Sequence, residues 1–162
     1  MSAVGTSSST LSGAAGPKAH LRWAGLADLD ALCAVYQAAR PDQADDPETM
    51  AAWLEHGGAI LLESEGRAIA ALRWREESGG WRVDPAASLP DERTGAYGRW
   101  LMTKVEALAI RSNIPTLTLD APSPESLPYY RRLGYRRRDP LDADSPLVKR
   151  VGGTWQVQEP KR

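Results

Sequence analysis

Val83-Asp84-Pro85, a short spacer, and then Arg93-Thr94-Gly95-Ala96-Tyr97-Gly98 running directly into Trp100-Leu101-Met102-Thr103-Lys104-Val105-Glu106-Ala107-Leu108-Ala109 is the stretch whose reading decides the fold. The apolar residues before Pro85 read as a strand that ends at the proline, and the small residues that follow read as a loop. Apolar positions at 101, 105 and 108 then recur with helical spacing, so the pattern is strand, tight turn, helix. Glycine lets such a loop come close to a ligand. The first amides of the helix have no acceptor within the helix and converge at the positive end of its dipole. A phosphate or pyrophosphate is the group such a loop would hold.

Around that stretch, the chain of 162 residues is long enough for one domain and too short for two ordinary ones, so a single domain is expected. A net charge of -1 argues against a general attraction to nucleic acid, which needs a basic surface. Cys33 is the only cysteine, which excludes an intrachain disulfide and a thiolate zinc cluster; it lies in an apolar helical pattern and reads as a small buried thiol. His20 and His56 are far apart and belong to no ligand-spaced motif, so no metal is expected. No apolar run approaches the roughly 20 residues that span a bilayer. Residues 1–18, rich in Ser, Ala and Gly, lack the basic start and apolar middle of a secretory signal and read as a flexible tail. A soluble, cytoplasmic protein is the expectation, with a domain over 19–151 and a polar C-terminal tail over 152–162.

In chain order, His20-Leu21-Arg22-Trp23 alternates as a short strand, and Asp28 caps a helix carrying Leu29, Leu32, Cys33 and Tyr36 on one face. A second helix opens at Asp45 or Asp46 with Pro47 in its first turn, carries Met50, Trp53 and Leu54, and ends at Gly57-Gly58. Apolar stretches at 59–62 and 68–74 read as an antiparallel pair, joined by Glu63-Ser64-Glu65-Gly66-Arg67 with glycine where the turn needs a positive φ. Ser78-Gly79-Gly80 turns the chain into Trp81-Arg82-Val83, the third strand of a meander. A helix from about 97 to 112, a strand Thr116-Leu117-Thr118-Leu119-Asp120, a short helix over 126–133 closed by Gly134, and candidate strands at 135–138 and 147–151 complete the order. The result is a mixed α/β domain on a mostly antiparallel sheet of six or seven strands with about four helices.

These residues resemble the GCN5-related N-acetyltransferase (GNAT) superfamily over roughly residues 20 to 151. Arg93-Thr94-Gly95-Ala96-Tyr97-Gly98 fits the family's acetyl-CoA loop, with Ala96 in place of the first glycine and Leu101 following at the family spacing. Tyr129-Tyr130-Arg131-Arg132-Leu133-Gly134-Tyr135 fits its aromatic, Tyr, two residues, Leu-Gly-aromatic element. Each motif alone is common; their order, with a strand between and a meander before, is far more specific. The resemblance implies transfer of an acetyl group from acetyl-CoA to a primary amine by direct attack, with no metal and no covalent intermediate. It also implies a fold in which the fourth and fifth strands of the family splay apart around the pantetheine arm.

The resemblance further assigns roles. The amides of Arg93, Thr94, Gly95, Ala96, Tyr97 and Gly98 hold the pyrophosphate, and the backbone at Val83 bonds the pantetheine or the thioester carbonyl. Tyr130 stands where the family places the acid that protonates the departing thiolate, a task a phenol of pKa near 10 can perform. Where the family often has Asn, this chain has Ser123, a shorter cofactor contact. Glu76, Glu77 and Asp84 are candidate bases, beside a water chain. Arg131, Arg132, Arg136, Arg137 and Arg138 either contact the CoA 3′-phosphate or an acidic acceptor, or form a solvated helix face and edge strand, the reading preferred for most of them. The tryptophans at 23, 53, 74, 81 and 100 read as packing in a chain without phenylalanine, with Trp74 or Trp81 a candidate for an acceptor pocket wall. The expected partner is a small-molecule or peptide amine, with no nucleic acid or membrane, and a homodimer stays open. The alternative is a non-catalytic module of the same fold that binds acyl-CoA or another ligand.

Overall fold

The computed structural model describes residues 9–11, 19–92 and 96–152, of which 9–11 by backbone only. Its strands are β1 (Ser9–Leu11), β2 (Ala19–Ala24), β3 (Gly57–Ser64), β4 (Arg67–Glu77), β5 (Gly80–Ser88), β6 (Thr116–Leu119), β7 (Arg136–Arg137) and β8 (Leu147–Arg150). Four α-helices accompany them: α1 (Leu29–Ala39), α2 (Pro47–Glu55), α3 (Ala96–Arg111) and α4 (Leu127–Arg132). The hydrogen-bonded strand order is β1-β2-β3-β4-β5-β6-β8-β7. β5 and β6 run parallel, while β1–β2, β2–β3, β3–β4, β6–β8 and β7–β8 pair antiparallel. This is the mixed, mostly antiparallel sheet with four helices that the sequence predicts. Part of the stretch read as an N-terminal tail is β1, whose Thr10 pairs with His20.

The chain divides into two compact units, each discontinuous in sequence. One comprises Met1–Arg75 and Pro85–Thr103, the other Glu76–Asp84 and Lys104–Arg162. β4, with 11 residues, and β5, with 9, each contribute to both. At about 3.3 Å per residue these strands are long enough for their two ends to have different neighbours.

In the first unit, the β3–β4 hairpin turns through Glu65 at φ 54° and Gly66 at φ 76°. Two successive positive φ values match the twist of a two-residue hairpin, and the glycine adopts one at no steric cost. β4 then keeps six consecutive residues buried, the pattern of a strand covered on both faces. Leu32, Val35 and Tyr36 of α1 and Met50 of α2 pack with Ala59, Leu61, Ala71 and Ala87 as its core, and Cys33 lies partly buried beside them. Burial pushes the Cys33 thiol above its ordinary pKa, which keeps it protonated.

Asp46 caps α2 by accepting from the Thr49 amide at 2.9 Å, with Pro47 in the first turn. Asp45 does something else: it takes a 2.6 Å bond from Arg73, a buried arginine inside the β4 run. The Arg73 guanidinium also stacks 4.3 Å from the Trp53 ring and 4.7 Å from Tyr36. A charge can sit there because a carboxylate and two ring faces replace the water it loses.

Three sequence expectations are corrected. α2 ends at Glu55, and Gly57 and Gly58 belong to β3, where a side chain on either would collide with Trp74. Asp28 occupies the cap position of α1, yet its carboxylate accepts instead from the Gly25 amide at 2.9 Å and from Arg22 at 2.7 Å, an ion pair that holds it below the usual carboxylate pKa. Trp23 is 42% exposed rather than core, resting edge-on to buried Trp74 at 5.8 Å.

Asp45→Ala is expected to destabilise the protein by about 1–3 kcal/mol, because it strips the carboxylate from a buried guanidinium. A urea unfolding midpoint equal to that of the parent would show that the pair contributes nothing.

Candidate active site

Where β5 meets β6, the ladder is short. Only Trp81↔Leu117 and Arg82↔Thr118 pair, while β5 runs on to Ser88. The sequence places the strand end at Pro85; the structure carries β5 through it. A proline is tolerated because beyond Arg82 the strand makes no ladder with β6, so its missing N–H removes no bond there. The start of β5 is fixed by a close approach. A Cβ on Gly80 would lie 2.2 Å from the Thr116 carbonyl oxygen, so only glycine fits. Val83, buried at 1% exposure, is the first residue of β5 past the last β6 pair.

Arg82 closes the paired segment. Its guanidinium donates to Glu77 at 2.6 Å and to Asp120, which follows the end of β6. The two carboxylates, Glu77 first, raise the Arg82 pKa. Glu77, a candidate base in sequence, is thereby committed to an ion pair. The partnership with Asp120 is absent from the sequence reading; the available signal was an arginine between the buried Trp81 and Val83 of one strand.

α4 carries the second motif in the same unit. Gly134, at φ 100°, ends it in the left-handed conformation that glycine adopts freely, and its amide bonds the Arg131 carbonyl at 3.0 Å. The helix is pinned from outside. Lys149 of β8 donates to the Leu133 carbonyl at 2.6 Å and to Glu106 of α3 at 2.9 Å, and the other Glu106 oxygen accepts from the Tyr135 hydroxyl at 3.1 Å. Tyr135 is fully buried, and burial with the nearby Glu106 charge pushes its phenol far above the ordinary range. It is a permanent neutral donor to Glu106.

Tyr130 sits differently. It is partly exposed, and its ring is held edge-on by Tyr129 at 5.0 Å and by Tyr135 at 6.2 Å. Ser123 is exposed and spends its groups locally: its hydroxyl bonds Ser126 at 3.1 Å and its carbonyl accepts from the Ser126 and Leu127 amides at the start of α4. Its visible role is to set the beginning of that helix.

In the other unit, Ala96 opens α3, with Tyr97 buried and Gly98 partly so. Ala96 is helical, a conformation alanine holds without strain, so glycine's freedom is not required there. The first turn of a helix makes no internal bonds through its amides, which is the property the loop reading relies on. Arg93, Thr94 and Gly95 lie outside the described residues. Among the described residues no three metal-ligating side chains come together, and no helix is long and apolar enough to cross a membrane.

A strand parting from its parallel neighbour, a helix opening on small residues and a tyrosine-bearing short helix are the elements of an acyl-CoA-dependent acyltransferase fold. The chain belongs to the acetyltransferase (GNAT) family, whose model matches residues 23–135. Among solved structures, it is similar to the ribosomal-protein-S18-alanine N-acetyltransferase of Escherichia coli, at 17% identity and a TM-score of 0.71 over 83% of this chain and 94% of that one. The GNAT domain of S. lividans PAT aligns at 13% identity and a TM-score of 0.70, covering 89% and 97%. A GNAT family acetyltransferase from Brucella melitensis, solved with acetyl-CoA, aligns at 18% identity and a TM-score of 0.66, covering 83% and 88%. No curated protein matches the chain significantly. At these identities the structural likeness establishes the fold.

Glu106→Gln is expected to cost about 1–3 kcal/mol, because it removes the charge that both Lys149 and Tyr135 address. Denaturant unfolding checks this, and an unshifted midpoint would remove Glu106 from the support of α4.

Proposed function

We propose that this acetyltransferase moves the acetyl group of acetyl-CoA onto a primary amine by direct attack. The observation that carries the reading is that β5 has no β6 partner after Arg82, which makes Val83 its first residue without one. A pantetheine arm is an extended chain with amide groups, and it fits a strand edge whose peptide groups can bond it. Val83 would bond the arm or the thioester carbonyl. The first turn of α3, Ala96, Tyr97 and Gly98, would hold the pyrophosphate together with Arg93, Thr94 and Gly95. Ser123 would contribute a shorter contact.

The transfer requires little from side chains. The amine nitrogen attacks the thioester carbon, the C–N bond forms as the C–S bond breaks, and the sulfur leaves with a proton. Tyr130 supplies that proton from its phenol; the proton lost by the amine passes to water and restores the phenol. Of the aromatic residues in this motif, Tyr135 is committed to Glu106, which leaves its hydroxyl unsuited to the task. The acceptor is a small-molecule or peptide amine. No metal is required by this chemistry.

Calorimetric titration with acetyl-CoA, followed by assay of CoA thiol release against a panel of amines, tests the proposal. Binding with release on at least one amine supports it; absence of binding overturns it. Tyr130→Phe is expected to lower kcat by about tenfold or more while leaving acetyl-CoA affinity within about twofold. Equal turnover for parent and variant across pH would take Tyr130 out of the mechanism. Gly98→Val is expected to weaken CoA binding by about tenfold while the domain stays folded; unchanged affinity would mean the helix start does not hold the pyrophosphate.

A further inference from the structure

Several arginines among the described residues have carboxylate partners: Arg22 pairs with Asp28 and Glu63, Arg67 with Asp91, Arg73 with Asp45, Arg82 with Glu77. Arg131, Arg136 and Arg137 are set apart by lying together. They line one open cavity of about 400 Å³, closed on another side by Pro140, and among the described residues none of the three has an ion pair. Arg136 is held in place by donating to the Arg131 carbonyl at 3.1 Å and the Tyr135 carbonyl at 2.9 Å. Two acidic residues of the loop before β8 serve that loop's own backbone. Asp139 accepts from the Leu141 amide at 3.0 Å and Asp142 from the Asp144 amide at 2.9 Å.

Three guanidiniums around one cavity repel each other, and an anion entering it relieves that repulsion while gaining charge-assisted, forked hydrogen bonds. Arg137 also lines a second cavity of about 280 Å³ whose walls include Pro122, Pro124, Leu127 and Leu147 and the acidic Asp144. A ligand with an acidic group fits the first cavity, where no carboxylate is among the lining residues.

We propose that this cavity recognises the acidic part of the acceptor, so that the amine acetylated is carried on a molecule bearing carboxylate or phosphate groups. The proposal rests on the acetyl-transfer reading in one respect. Arg131 directly follows Tyr130, and the six residues of α4 span only about 9 Å. On that reading Tyr130 works at the sulfur of CoA, where the acceptor must also arrive. The 3′-phosphate of CoA is separated from its sulfur by the whole pantetheine arm and the pyrophosphate, so the anion beside α4 is the acceptor's.

The test compares two peptides with free N-terminal amines, Ala-Glu-Glu-Glu-Glu and Ala-Gln-Gln-Gln-Gln, as acceptors. The acidic peptide is expected to have a KM about tenfold lower at low salt, with the advantage shrinking as salt rises. In the Arg131→Gln, Arg137→Gln double variant its KM should rise to that of the glutamine peptide. Equal KM values in the parent, or a preference that survives in the variant, overturn the proposal. Fluorescence anisotropy of the acidic peptide labelled at its C-terminus reads the cavity without turnover. Binding that disappears in the variant supports the proposed anion site even if no amine is acetylated, an outcome that would defeat the transfer reading alone. Absence of peptide binding overturns the anion site itself. Calorimetry with CoA and 3′-dephospho-CoA supplies the last arm: if the variant loses affinity for CoA and not for the dephospho form, the cavity holds the 3′-phosphate and the proposal fails.

Discussion

The parallel pairing of β5 with β6 stops after two residue pairs, and the candidate chemistry depends on that short ladder. Both ends of the paired segment have a local cause. At the start, Gly80 lets the two backbones approach more closely than any side chain would permit. At the far end, Arg82 ties Glu77 on the preceding strand to Asp120 after β6, and Pro85 follows with no amide hydrogen to offer. A buried strand edge ordinarily satisfies its peptide groups in a ladder, because an unpaired one costs about as much as a lost hydrogen bond. On the proposed function, a ligand with amides of its own would extend that edge.

The short helix α4 shows how a weak element is made rigid. Six residues with none buried do not form a stable helix alone. Its stability comes from Glu106, which lies at the meeting point of the Lys149 ammonium and the Tyr135 hydroxyl, and from Lys149 reaching on to the Leu133 carbonyl. The same arrangement sorts the tyrosines. Tyr135 is buried and bound to a carboxylate; Tyr130 presents an edge to it and remains partly exposed. Two phenols five residues apart thus differ in environment.

Much of this was legible in the chain. The Glu65-Gly66 turn, the Asp46-Pro47 helix start and the glycine after α4 are local devices whose geometry depends on a few adjacent residues, and each occurs where the residues put it. Features that depend on distant partners were not legible. Asp28 looks like a cap until Arg22 and Gly25 claim its carboxylate; Asp45 looks like a rival cap until Arg73 does the same. The strand through Pro85 reads as a strand end because a proline's cost depends on whether a neighbour needs its amide, which a single strand cannot reveal. Most of the five arginines around the second motif read as solvated charge, and only the folded chain shows which three share a cavity.

The sequence by itself determined the order of elements, the sites of the tight turns, the family and the two motifs, because hydrophobic period and backbone-specific residues act over a few positions. The tertiary structure alone decided which carboxylate answers which arginine, where the β5–β6 ladder stops, and which tyrosine stays accessible. Those outcomes follow from desolvation and hydrogen-bond satisfaction, whose magnitudes depend on neighbours that the chain brings together only when it folds.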